Sequence, residues 1–162
     1  MSNRPRRRFR FDELAWGILM GVIAIGIVVM AVLIIRGPGN SSSANACDKP
    51  LAALGQSPIT ADEFQAVDKG LQDTIAAAQL GSLAGAENSF FGRVHNFTHN
   101  VDPPLRQQDP DLAKTLCRNV INLENEFSLQ RRPQEIARLA QDLQTVLRQA
   151  AVELGYPRPG GA

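Results

Sequence analysis

Few residues here are able to do chemistry. The 162 residues hold two cysteines, two histidines, one tryptophan and one tyrosine, and only three lysines against 14 arginines. Two thiols cannot close a four-cysteine zinc site, and no Cys-x-x-Cys occurs. There is no His-Glu-x-x-His, no Gly-x-Ser-x-Gly and no Gly-rich phosphate loop. These absences point to a protein that is not an enzyme and needs no cofactor. The arginine-for-lysine bias and the abundance of alanine suggest a GC-rich bacterial origin.

Charge is scarce where it matters most. Leu14 to Ile35 contains no charged residue, and its 22 residues rise about 33 Å as a helix, enough to cross a hydrocarbon core. The run is too long for the apolar core of a cleaved signal. Residues 1–13 carry five arginines against Asp12 and Glu13, whereas only Arg36 follows the apolar run. The positive-inside rule therefore keeps the N-terminus in the cytoplasm and sends the C-terminal part outside. Trp16 stands near the basic end, where an indole ring favours the headgroup boundary. The expected topology is a single-pass anchor in the cytoplasmic membrane.

Ala44-Asn45-Ala46 has the small-x-small form of a cleavage site. It stands too far beyond the apolar run to serve as one, so the anchor is expected to be retained. Gly17, Gly21, Ala24 and Ala31 line one face of that helix, a surface suited to self-association or to another membrane protein. Residues 36–46 form a Gly/Ser linker, whose flexible stretch after Arg36 spans roughly 17 Å.

Residues 47–162 hold 11 basic and 14 acidic side chains, a balance that excludes a nucleic-acid-binding surface. From 47 to 155 the apolar residues recur in steps of three and four, with no alternation of period two, so the fold class is all-α. The expected architecture is a small up-down four-helix bundle carrying one disulfide.

Helix one opens on the capping box Thr60-Ala61-Asp62-Glu63 and presents Phe64, Val67, Leu71, Ile75 and Ala78. Helix two is expected over about 83–101, with Phe90, Val94, Phe97 and Val101 inward, ending before Pro103-Pro104. Helix three starts from Asp109 and Pro110 and buries Leu112, Leu116, Val120, Leu123 and Phe127. Helix four runs from near Pro133 through Ile136, Leu139, Leu143, Val146, Ala150 and Leu154 to Gly155. Residues 156–162 read as a disordered tail. Cys47 and Cys117, both beyond the anchor, are expected to pair. Their link would close a loop of about 71 residues and stabilise the domain by about 4 kcal/mol in the loop-entropy account.

The densest segment is Phe90 to Asn100. His95 and His99, four apart, project from adjacent turns and could share one metal ion. A continuous helical wheel centred on Phe90 places them at roughly 140° and 180°, on the open face, and Phe91 at about 100°, on the rim. Phe91, His95, Thr98 and His99 then form a candidate partner surface, with Phe91 as its apolar anchor. The same wheel turns Glu87 inward, and Asp68 and Glu124 fall near core edges, to be balanced by Arg93, Arg118 or Arg138. A di-metal carboxylate site would need Glu-x-x-His on two helices, which the chain lacks.

The reading that follows is a membrane-anchored, extracytoplasmic interaction module or accessory subunit. Its partners would be the lipid bilayer and another membrane or envelope protein. The alternative is a ligand-, metal- or haem-binding bundle using His95 and His99.

Overall fold

The structure, a computed structural model, describes residues 46–55 and 58–160. The basic N-terminus, the segment 14–35 with its small-residue face, and the linker up to residue 45 lie outside the described residues. Among the described residues no helix is long and apolar enough to cross a membrane.

Every regular element described is helical. α1 spans Ala61–Gln79, α2 Leu83–Ser89, α3 His95–Gln108, α4 Pro110–Asn125 and α5 Pro133–Glu153. Wide π-type turns over Phe90–Val94 and Glu126–Gln130 join α2 to α3 and extend α4. The described residues thus make four rods, with α2 and α3 as one bent rod. The first packs on the second, each later rod on the one before it, and the last on the first. Phe64 meets Phe97 edge-on at 4.9 Å, and Gly70 faces Val94, so α1 and its neighbour run in opposite directions.

Local chemistry sets the ends of the rods. Thr60 Oγ1 accepts from the Glu63 amide at 3.2 Å, and Asp109 Oδ1 accepts from the amides of Asp111 and Leu112, satisfying donors that a first turn leaves free. Gly81 and Gly155 take left-handed φ of 75° and 82°. Each lets the next amide reach back five residues, Ser82 to the Ala77 carbonyl and Tyr156 to that of Ala151, the Schellman closure. The core contains Phe64, Phe90, Phe97 and Phe127 with Leu71, Leu116, Leu123, Ile136 and Leu143. Ile75, Leu112 and Leu154 of the expected stripes pack on its margin.

Two expectations fail. The second rod is not one helix ending at Val101. It bends at Gly92, whose ψ of −118° leaves the helical range, and then continues through Pro103 and Pro104 to Gln108. The prolines cannot donate to the carbonyls of His99 and Asn100, but burial of Val101 and Asp102 just before them and of Leu105 just after keeps the helix going. Local proline preference loses to tertiary packing.

The tail is not frayed over 156–160 either. The Tyr156 ring lies 5.3 Å from Phe64, and its hydroxyl donates to the Ile59 carbonyl at 2.7 Å. Pro159 is buried, and the Gly160 amide donates to Gln65. An aromatic ring that finds both apolar cover and a polar partner holds the chain end down.

Cys47 and Cys117 form the expected disulfide, buried at both ends. It fastens an irregular strap, residues 47–54, alongside α3 and α4.

Candidate metal centre

The seam between α3 and α4 builds the site. Val94, Phe97 and Val101 stay inward beyond the bend at Gly92, but the covered arc of α3 is wider than one stripe and takes in Thr98 and Asp102 as well. His95 and His99 border that arc and are met by Glu124 and the strap instead of lying on an open face. Their side chains are only 17% and 13% exposed, and both reach across to Glu124 on α4, itself 30% exposed. His95 Nε2 lies 2.6 Å from Glu124 Oε1 and His99 Nε2 lies 3.5 Å from the same oxygen. The two imidazole centroids are 4.6 Å apart. One ligand atom from each of the three residues falls within 4.8 Å of the other two.

The tautomer of His99 follows from its other nitrogen. Nδ1 stands 2.8 Å from the carbonyl oxygen of Ala52 on the strap. A carbonyl only accepts, so Nδ1 carries the proton. In the neutral ring Nε2 then holds a lone pair aimed at a carboxylate oxygen, and two acceptors face each other. The arrangement is completed only by a positive charge between them, either a proton on Nε2 or a metal ion. Burial opposes the charge on Glu124, but the hydrogen bonds and charge of the histidines outweigh it and hold its pKa down to about 2. Burial likewise pulls the His99 pKa down. The hydrogen bonds to Glu124 and the Ala52 carbonyl, with the charges of Glu124 and Asp102, raise it on balance.

The other expected surface residues divide. Thr98 is fully buried and its hydroxyl donates to the His95 carbonyl at 2.7 Å, so it stiffens the turn below the site and offers nothing to a partner. Phe91 is 39% exposed, with its ring 5.4 Å from both His95 and Phe127. It roofs one side of the imidazole.

The expected carboxylate partners are reassigned. Arg93 pairs with Glu63, Arg118 bonds Thr115, and Arg138 serves Glu135 and Asp142. Glu87 is half exposed beside Arg131 and does not point inward. Buried Asp68 is held by Arg148. Two further buried carboxylates, Asp102 and Glu126, escaped the periodicity and are held by Arg106 and Arg132. Glu124 was visible at a core edge, but nothing joined it to the histidines while the wheel aimed them outward.

The site defines a helical bundle with a two-histidine, one-carboxylate cluster at a helix seam. No family model, curated protein or solved structure matches the chain.

Proposed function

We propose that this chain is a membrane-anchored, extracytoplasmic helical module that binds a divalent transition-metal ion through His95, His99 and Glu124. One observation carries the reading: with Nδ1 turned to the Ala52 carbonyl, His99 directs Nε2 at Glu124 Oε1 from 3.5 Å. Metal-bound histidines generally donate their second ring nitrogen to a carbonyl or carboxylate in this way. Ligand atoms on a tetrahedral ion with bonds of about 2.0–2.1 Å sit roughly 3.3–3.5 Å apart. The His99–Glu124 spacing fits, and His95 has to withdraw by about 0.8 Å from its hydrogen bond to admit the ion. Two imidazoles and a carboxylate suit zinc or copper(II), with a fourth position left for water or an exogenous ligand. The role is binding, and the anchor comes from the apolar run 14–35.

The test is zinc retention by the full-length chain in mild detergent. One zinc ion per chain should survive gel filtration, and Glu124→Gln or His99→Ala should weaken binding by more than about tenfold, since even indirect supports of a metal site cost 10–100-fold. Equal retention by the wild type and a His95→Ala, His99→Ala, Glu124→Gln chain sinks the reading.

The accessory-subunit reading keeps one support, the exposed ring of Phe91 beside the site. In that account the partner covers Phe91, and Phe91→Ala lowers its recovery from native membranes.

A further inference from the structure

We infer that the disulfide-fastened strap is a working part of the metal centre: Cys47–Cys117 holds the Ala52 carbonyl where it sets the tautomer of His99. The inference rests on the metal reading for its consequence and on the strap geometry for its substance. Residues 49–54 have no helical structure, and of them only Leu51 and Leu54 are partly covered. Apolar burial therefore does little to hold this segment. Polar contacts run along it instead. Arg106 donates to the Cys47 carbonyl at 3.0 Å, and the Leu51 amide donates to buried Asp102 at 2.6 Å. Asn100 clamps Leu54 twice, accepting from its amide at 3.0 Å and donating to its carbonyl at 3.3 Å. Between the Leu51 and Leu54 contacts, the Ala52 carbonyl meets His99 Nδ1.

Each contact holds only while the strap stays in register on α3, and the covalent link at Cys47 is what fixes that register. Without it, residues 47–54 are held only by these polar contacts, which must then offset the backbone entropy of ordering the segment by themselves. Once the carbonyl is gone, His99 can move its proton to Nε2 and donate to Glu124. The lone pair meant for the ion is then spent. The strap is thus a positioning element for His99, and the metal site is complete only in the disulfide form.

The experiment compares the full-length chain with the paired variant Cys47→Ser, Cys117→Ser and with Asn100→Ala, which keeps the disulfide but removes the clamp on Leu54. Two readouts are taken at a pH where the imidazoles are neutral, the ¹⁵N shifts of the His99 ring and the affinity for Zn²⁺. The wild type should show the Nδ1–H form of His99. The paired variant should shift His99 toward the Nε2–H form and lose about 10–100-fold in Zn²⁺ affinity, while far-ultraviolet circular dichroism keeps its helical signal. Asn100→Ala should move both readouts the same way by less. An unchanged His99 tautomer in a folded paired variant overturns the inference. If the paired variant unfolds, an unchanged tautomer in Asn100→Ala overturns it in the same way. A tautomer shift in a chain that binds no zinc supports the strap's role and defeats only the metal reading.

Discussion

Asp68 and Glu124 are both carboxylates drawn into the seams of the same bundle, yet they are answered differently. Asp68 receives two bonds from the Arg148 guanidinium at 2.6 and 2.9 Å and one from Gln72. Asp102 and Glu126 follow the same pattern with Arg106 and Arg132. A guanidinium stays charged at any ordinary pH and cannot be a metal ligand. Glu124 alone among the four is answered by imidazoles, which lose their charge near neutrality and bind metals in the neutral form. Three of these pairs are fixed fastenings, and in the proposed function the fourth is exchanged for an ion. Burial of a carboxylate therefore says little about function until its partner is known.

The hardest way to break that contrast is to strip a guanidinium. Arg148→Met leaves Asp68 buried with only Gln72 for company. Removing one partner of a buried pair costs about 3–5 kcal/mol, and the partial exposure of Arg148 places the expected loss near the lower figure. Urea denaturation of the full chain measures it. Adding Asp68→Leu to Arg148→Met should restore most of the loss, because the stranded charge goes with it. A loss below the noise in Arg148→Met would mean that Asp68 is merely another surface carboxylate.

Phe91→Ala sharpens the comparison from the other side, because its ring shields His95 where no such cover is needed over an arginine. A ring expected at the rim of the wheel can be an exposed anchor for a partner or can be buried between two neighbours. At 39% exposure the ring is neither, so the expected loss is about 1–2 kcal/mol, well short of full cavity formation. Zinc release should also quicken as water gains access to the His95 side. A cost of 3 kcal/mol or more would class Phe91 with the core.

Where backbone and sequence agreed, the fold was legible. Thr60-Ala61-Asp62-Glu63 and Asp109-Pro110 marked helix starts, Gly155 marked a stop, and the stripes of α1, α4 and α5 named much of the core in advance. The disulfide followed from there being only two cysteines, both placed beyond the expected anchor. The second rod was legible only in part, because a single narrow stripe underestimates how much of α3 its neighbours cover, and neither the bend at Gly92 nor the continuation through Pro103 and Pro104 was expected. Val94, Phe97 and Val101 are buried as the wheel expected, but Thr98 was placed outside when it is buried, and both histidines were set on an open face that α4 and the strap cover. The site lay among residues already singled out, His95, His99 and Glu124, but their meeting depends on how α3 packs against α4, which periodicity within one helix does not announce. The strap is a second such case, since nothing in Leu51-Ala52-Ala53-Leu54 says that a carbonyl there will orient a ring 47 residues away.

The smallest expected change is in pH dependence, and it separates the two kinds of fastening without any substitution. Glu124 is held at about 2, below its ordinary 4.5, so its contribution to stability is whole above 4.5 and fades as pH falls toward 2. His99 is raised above its ordinary 6.5, so its contribution is whole below 6.5 and is lost as pH rises through the raised value. The metal-free chain should therefore draw most from this pair between pH 4.5 and 6.5 and melt at a lower temperature at pH 8.5 than at pH 6. Glu126, held below its ordinary value by the hydrogen bonds of Arg132, adds no slope over that range, because both partners keep their charge there. Zinc should reverse the trend. Protons and metal compete for Nε2 of His99, so the rise in Tm on adding Zn²⁺ should be larger at pH 8.5 than at pH 6. Thermal melts at the two pH values, with and without Zn²⁺, measure all four quantities. His99→Gln should flatten the metal-free slope and abolish the zinc increment together. A wild-type chain whose zinc increment is the same at both pH values would show that the ion binds without displacing a proton, and the exchange of proton for metal at His99 would be wrong.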